Sequence, residues 1–558
     1  MSPSRLPSSA APPDKSIPRR PRPRRSGIPI EMGKLPREPA AAPPSHVDHH
    51  DETGPRSHKR RRRSNSKKNL DPPSDESDHI SALPDDILLA ILEDLDAKTA
   101  VSTSALSRRW GRLWASLRTL RFSEVSLPRD SSWVRLGPMR REYIKANRFR
   151  LFVPSLRWFT EMVKKRSDAA AAGDDAALTR LSIVFSGSAK CAGAVNSAIA
   201  AAAEHGVRHI DVAVVRNTWT KYEFPSLPFS ESDGGDIDNA CSSSLDTLCL
   251  NNCKLSIPVG FRGFSALTKL VLVAMHMSAN DMQLLLGSCE SLKILYLIDM
   301  VGVRALQHQN LEELVWLWPP PPSSGNKLKI DAPALRRLEY CGAGEVLPAS
   351  TRRSLPCLEH VSLQHVVYGY LLPDRHAENL RTIAARFPHV KSLHLRYRVP
   401  KLVVRPGTPA IFSKLTVLTL SIETKPSDDL LWMAMFLVAA PYLGTLQTNV
   451  RYLPFLESRD GVVWDDFNFE HNSLKEVEMY NFKGRDNEIG FARLLLRRAP
   501  SMRRIAFRQG RLREAEDQYR CILPPDWPKA KEFSPRDNQL VLSKLLDGVC
   551  SGARVVFM

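Results

Sequence analysis

The 558-residue sequence has no apolar stretch of about 18 residues, the length a helix needs to span a bilayer. No apolar h-region follows its first residues, which argues against secretion. Its most apolar run, Leu430 to Leu443, is interrupted by Pro441 and reads as a buried helix. Cysteine is sparse and unpatterned: nine residues, an odd number, without framework spacing. No Asn-x-Ser/Thr glycosylation acceptor occurs. Both absences point to a reducing compartment, cytosol or nucleus. There is no G-x-S-x-G, no P-loop and no HExxH, so the common hydrolase, nucleotide and zinc-protease sites are missing. No Cys-x-x-Cys pair exists, which excludes a zinc-bound RING module. Cys249 and Cys253 are four apart with no second pair nearby, and read as small hydrophobes in or beside a strand. The expectation is a chain with no catalytic residues, no metal and no cofactor.

What is present begins with charge: +19 at neutral pH, with a pI near 9.6. Composition changes sharply near residue 79. Residues 1–78 hold 15 prolines and 17 Lys or Arg against 10 Asp or Glu. So few large apolar side chains cannot offset the entropy of ordering, so this arm is expected to be disordered. It carries two basic clusters, one over 19–25 and one formed by Lys59, Arg60, Arg61, Arg62, Arg63, Lys67 and Lys68. These suit nuclear import or a nucleic-acid tether. No aromatic residue is interleaved with them, which disfavours stacking on bases. The run His46 to Asp51 contains metal-ligand residue types, but a disordered segment gives ligands no supporting shell.

Residues 79–123 change character at once. Pro84 suits the first position of a helix, with Asp85 and Asp86 near its positive end. Ile87, Leu88, Ile91, Leu92 and Leu95 recur at helical spacing as one apolar stripe. A second group, Val101, Ala105, Leu106, Trp110, Leu113 and Trp114, follows after a polar turn. Two or three short helices in about 45 residues are too few for a robust independent core, so this unit is expected to share its apolar face with a partner. Leu83-Pro84, then Ala105-Leu106-Ser107-Arg108-Arg109-Trp110 and Leu113-Trp114, resemble the plant-type F-box. The resemblance implies a trihelical module docking on the Skp-type adaptor of a cullin-based ubiquitin ligase. Contact would be carried by Leu83, Pro84, Ile87, Leu88, Ile91, Leu92, Leu106, Trp110, Leu113 and Trp114.

Residues 124–177 read as a helical spacer, with Phe152, Val153, Leu156, Trp158, Phe159 and Met162 on an amphipathic helix, followed by a flexible connection. From about 178 the signature L-x-x-L-x-L returns, as in Leu267/Leu270/Leu272, Leu292/Leu295/Leu297 and Leu415/Leu418/Leu420. Twelve good copies and a degraded one at Leu443/Leu446 fit leucine-rich repeats. Two apolar positions spaced two apart face one side of a short strand. Stacking such strands in parallel makes a continuous core. One return helix is expected over Asp428 to Val438, capped by Ser427 and Asp428, with Leu431, Met435 and Val438 turned inward.

The fold class expected is therefore α/β: a leucine-rich-repeat solenoid (horseshoe) after a small all-α module and a disordered basic arm. Leu474-Lys475-Glu476-Val477, Phe482-Lys483-Gly484, a helix over 488–499 and Met502-Arg503-Arg504-Ile505 resemble the FBD segment of plant F-box proteins. The ending, Ser551 to Phe557, resembles that family's usual tail. The boundaries read are 1–78 for the arm, 79–123 for the F-box and 124–177 for the spacer. The repeats take 178–464, the FBD-like closing repeats 465–510 and the cap 511–558.

The family pattern implies a non-catalytic receptor that recruits a target protein to a ubiquitin ligase, and the basic arm, which that pattern does not require, points to the nucleus, with the cytoplasm as a second location. The alternative left open is a nuclear nucleic-acid-binding or scaffold protein. Strand residues alternating with the core positions should line the inner surface. Early repeats would place an apolar patch there, made of Val271, Val273, Ile294, Tyr296, Ile298, Val315 and Leu317, open to a partner or covered by the chain's own 124–177 helices. Middle repeats would place Arg337, Glu339, His360, Gln364, His394 and Arg396 side by side as a target site, with Arg337 and Arg396 as carboxylate or phosphate clamps. The insertion 366–386 is a candidate lid. For the arm, replacing Arg60 to Arg63 with alanine should move a fluorescent fusion from nucleus to cytoplasm. An unchanged nuclear signal on imaging would reject the import reading.

Overall fold

The computed structural model describes residues 80–124, 149–170, 178–215, 222–225, 245–318, 329–341, 355–365, 383–398, 412–453, 469–512 and 534–558, with a few short gaps inside these stretches. The chain divides after Ser77 into two units. The first, with all the proposed import residues, lies outside the described residues, as do Trp114 and most of the 366–386 insertion.

The second unit opens with three short helices: α1 (Asp85–Glu93), α2 (Ala97–Ser102) and α3 (Arg108–Leu113). Among the described residues, fifteen strands then form one parallel sheet in chain order. They are β1 (Thr119–Ser123), β2 (Arg180–Phe185), β3 (His209–Val214), β5 (Thr247–Asn251) and β7 (Lys269–Val273). Next come β8 (Ile294–Ile298), β10 (Glu313–Leu317), β12 (Arg337–Cys341), β13 (His360–His365) and β14 (Ser392–Arg398). The series ends with β15 (Val417–Thr424), β16 (Thr445–Tyr452), β17 (Glu476–Tyr480), β18 (Arg504–Phe507) and β19 (Arg554–Phe557). Two small parallel pairs sit in the return segments: β4 (Glu223–Phe224) with β6 (Lys254–Leu255), and β9 (Ala305–Gln307) with β11 (Lys329–Asp331). Return helices are α4 (Phe149–Ala170), α5 (Ala189–Glu204), α6 (Ala279–Gly287), α7 (Ala434–Ala439), α8 (Asp486–Arg498) and α9 (Pro535–Leu546).

Every one of the thirteen repeat copies read from the sequence is a strand of this sheet, and two more strands extend it. The first is β1, built by Leu117/Leu120/Phe122, all buried. It pairs in parallel with β2, so the solenoid begins inside the helical module. Helix α4 is then the return helix of the first repeat rather than a spacer: Phe152, Leu156, Phe159 and Val163 are buried in the same core. The last is β19, which pairs with β18, and Val549 ahead of it is buried in the core.

A backbone ladder sets the common register. At each strand entry, two consecutive N–H groups donate to one carbonyl of the preceding repeat. Thr179 and Arg180 donate to Arg118 O, Arg208 and His209 to Thr179 O, and Asp246 and Thr247 to Arg208 O, at 2.8–3.1 Å. The pattern continues repeat by repeat to Arg503 and Arg504 on Lys475 O. At strand exits, Asn252, Ala274, Asp299, Trp318 and Asn481 adopt left-handed backbone with φ of 51–55°. Each donates its N–H to the next repeat's strand-end region, as Ala274 does to Ile298 O at 2.8 Å. Buried histidines add side-chain staples. His308 accepts from Asn310 N–H and reaches Cys289 O at 2.9 Å, while His471 accepts from Leu474 N–H and reaches Ala440 O at 3.0 Å.

The return helix near 430 differs from the expectation. It starts as a 3-10 turn at Leu431–Met433, and Asp429 accepts the Leu431 N–H. Asp428 instead closes the preceding turn through Thr424 and Lys425. Trp432, Met433, Phe436 and Leu437 are buried, while Leu431, Met435 and Val438 form the partly exposed side. The inward face is shifted because the tight first turn rotates it.

Gly302 has φ of +96°, and a Cβ there would meet the Met277 carbonyl oxygen at 2.2 Å. Gly302→Ala should therefore destabilise the chain by about 2 kcal/mol or more. Ala274→Asn puts a residue that tolerates left-handed backbone where alanine is strained, and should stabilise by up to about 1 kcal/mol. Denaturant midpoints of both variants check the opposite signs.

Candidate functional site

The helical module presents two different apolar sets. Leu88 and Leu92 are buried on α1, with Trp110 and Leu113 on α3. They join Leu117, Leu120 and Phe122 in the solenoid core, so the module completes its core against its own strand β1. The Ser-Arg-Arg-Trp run works inside the chain. Ser107 accepts the Trp110 N–H at 3.3 Å and so caps α3. Arg109 donates to Leu83 O at 2.6 Å and to Asp85 at 2.7 Å, tying α3 to the start of α1. Pro84 lies one residue before α1 and is exposed. Leu88, Leu92, Trp110 and Leu113 thus lie in this chain's own core rather than on its surface. Ile87 and Ile91, one turn apart on α1, are 44% and 42% exposed, and Leu106 is 69% exposed. Leu83 is half-buried. Ile80, 59% exposed, extends this apolar set and was missed because it precedes the helical stripe.

On the sheet face opposite the helices, the alternation rule placed the rows correctly. Arg337, His360 and Ser392 are register partners, as are Glu339, Ser362 and His394, and Gln364 with Arg396. The early apolar set is not an open patch. Val271, Tyr296, Ile298, Val315 and Leu317 are buried with Cys341 as a second core cluster. Helix α4 does not cover it, since its apolar residues belong to the main core on the other side.

In the middle rows Glu339, Gln364, His394 and Arg396 bond within the chain, so Arg396 is not an open clamp, whereas Arg337 lies outside this network. Buried Gln364 donates to Glu339 at 2.7 Å. Arg396 donates to Gln364 and to Glu423, both at 3.2 Å, and Arg451 reaches the same Glu423 oxygen at 2.9 Å. Arg396 is thus committed to its own chain's carboxylate. His394 lies between Ser362 Oγ at 3.1 Å and Ser421 Oγ at 2.9 Å. Arg337 stays largely exposed, 3.7 Å from Glu313. Burial and the Arg337 guanidinium hold the His360 imidazole below its usual value.

A second hub lies beyond the predicted rows. Glu478 accepts from Tyr480 at 2.7 Å, Arg508 at 3.0 Å and Gln447 at 3.3 Å, with Arg504 at 3.6 Å. Thr419 donates to Gln447 at 3.0 Å. The same alternation, carried three strands further, would have found Glu423, Asn449, Arg451 and Glu478.

Residues 175–524 match the At1g61320/AtMIF1-type LRR domain family, and residues 80–122 match the F-box domain family. The F-box/FBD/LRR-repeat protein At2g04230 of Arabidopsis thaliana is 51% identical over 45 residues, 8% of this chain and 10% of that protein. The FBD-associated F-box protein At4g10400 of the same plant is 53% identical over 45 residues, 8% and 11% of the two chains. The putative FBD-associated F-box protein At5g44940, also from Arabidopsis thaliana, is 36% identical over 84 residues, 14% and 22%. The chain spans roughly a tenth to a fifth of the length of these curated relatives.

Burial acts to raise the Glu478 carboxyl, but the Tyr480 hydroxyl and the Arg508 and Arg504 guanidinium groups outweigh it and hold it below the ordinary 4.5. Folding therefore favours the ionised form. That contribution is full above the unfolded value and is lost as pH falls through the lower folded one. Glu478→Gln should melt earlier than the parent at pH 7, and the gap should close as pH drops below about 4.5. Melting curves across that window check it, and a gap independent of pH would contradict it.

Proposed function

Because the chain belongs to the family that carries an At1g61320/AtMIF1-type leucine-rich-repeat domain, here behind an F-box domain, we propose that it is a substrate-recruiting, non-catalytic subunit of a Skp-cullin-F-box ubiquitin ligase. The module around 80–122 docks on the Skp-type adaptor and through it on a cullin. A target protein binds the inner face of the repeats, where Arg337 and His360 remain within reach, and is ubiquitinated by the ligase. The basic arm directs the protein to the nucleus. The complex works by proximity: a target held beside a ligase that lacks affinity for it reacts at a raised effective concentration.

The observation that carries this reading is the split of apolar residues in the F-box. A module that needed them only for folding would bury them. Instead Ile80, Ile87, Ile91 and Leu106 stay exposed beside a complete core. Ile87 and Ile91, one turn apart on α1, put large apolar side chains side by side on an exposed helix face, the kind of surface a partner covers.

The test separates the two sets. Ile87→Asp with Ile91→Asp should abolish co-purification of the Skp-type adaptor and leave the melting temperature unchanged. Trp110→Ala should cost about 3–5 kcal/mol by opening the core, and lose the adaptor only as the module unfolds. Retention of the adaptor by the folded double variant would reject the reading.

A further inference from the structure

Asn449 is a polar side chain that its neighbours on the inner face leave unused. It is fully buried on β16, and neither its amide nitrogen nor its amide oxygen has a hydrogen-bond partner. The groups around it are all engaged. Register sets Ser421 and Tyr480 beside it on the flanking strands. Alternation sets Gln447 and Arg451 before and after it on its own strand. Ser421 is bonded to His394, Arg451 to Glu423, and Gln447 and Tyr480 to Glu478. Asn449 therefore separates two networks and joins neither.

A primary amide presents a donor and an acceptor side by side in one plane. Keeping both buried and unbonded is costly, whereas an apolar side chain of the same size would carry no such penalty. We propose that Asn449 is the recognition point of a binding site on the inner face of β15–β17. Its ligand presents a planar edge with one N–H and one C=O adjacent: a free cyclic imide, or the side-chain amide of a glutamine or asparagine in a bound peptide.

Entry is past Tyr480. Its side chain is longer than that of Asn449, it is half-buried, its hydroxyl donates one hydrogen bond, to Glu478 at 2.7 Å, and the Arg508 guanidinium lies over its ring at 5.5 Å, so an entering ligand displaces both contacts. When that bond breaks, Glu478 keeps Arg508 and Gln447 as donors, so the carboxylate is not stranded. Arg451 on the other side carries an ion pair at 2.9 Å and resists displacement more. A swung Tyr480 ring also offers a flat wall against which a planar ligand stacks. The site stands whether or not the adaptor reading holds, because it needs neither the F-box nor a ligase.

The experiment is saturation-transfer NMR on the full chain. One arm uses glutarimide against N-methylglutarimide. The other uses acetyl-Ala-Gln-Ala-amide against acetyl-Ala-Met-Ala-amide. Signal from glutarimide and not its methylated form supports the site with a free small-molecule ligand. Signal from the glutamine peptide and not the methionine one supports it with a target side chain. In either case Asn449→Leu should abolish the signal while its melting temperature holds or rises. Asn449→Ala, which removes both amide groups without adding volume, should abolish it too and covers the case in which the leucine variant does not fold. No signal in either arm, or a signal that survives these substitutions, would overturn the proposal and leave Asn449 as a packing residue.

Discussion

The double hydrogen bond at each strand entry is the constraint on which the rest of this structure depends. One carbonyl takes two successive N–H groups from the next repeat, from Arg118 O through to Lys475 O. That geometry allows no slip. A shift of one residue would exchange the core and inner faces of a strand. Because the ladder holds, Leu181, Ile210, Leu248 and their equivalents fall in one buried column, and the polar residues between them fall in rows on the other face. The insertions between strands vary widely in length without disturbing either, since return segments need only deliver the chain to the next entry point.

A ladder of this kind must start and stop somewhere, and the starting device is the F-box itself. Its last segment is β1, and Glu124 just beyond accepts the N–H and hydroxyl of Ser186 at 2.6 and 3.0 Å. The module is consequently part of the solenoid core rather than a bead on a linker. The L-x-x-L-x-F pattern at Leu117, Leu120 and Phe122 was readable in the sequence. It was hidden because the next copy begins about sixty residues later, well outside the repeat period, so the interval looked like a spacer. The thirteen internal copies were legible because each carries its own alternation, a local property that needs no knowledge of its neighbours.

Sites were less legible than strands, for a physical reason. Alternation says which residues share a face, but it does not say which of them bond to each other. Arg396 looked like a free clamp until Glu423, two residues beyond its register partner Ser421 on the adjacent strand, was seen to hold it together with Arg451. In α1 the same limit acts in another form. Helical spacing joined Ile87, Leu88, Ile91 and Leu92 into one stripe, although a stripe that wide spans two environments. Leu88 and Leu92 meet the core, and Ile87 and Ile91 turn away from it. Separating them requires the position of β1, which spacing alone does not supply.

On the proposed reading, the shared core has a mechanical consequence. If the F-box were tethered by a flexible linker, a target on the repeats would sample many orientations relative to the adaptor, and the effective concentration at the ligase would fall accordingly. Here α1 is tied to α3 through Arg109, α1 to the approach of β1 through Glu93 and Arg118 N–H at 3.2 Å, and β1 to β2 along five residue pairs. The adaptor surface and the inner face are thus connected by hydrogen-bonded secondary structure throughout. Whatever the inner face holds is presented in one orientation set by the number of intervening repeats. The distance from Ile87 to a bound target is then a property of the register ladder, and a substitution that loosens β1 should weaken ubiquitination of a target without weakening its binding.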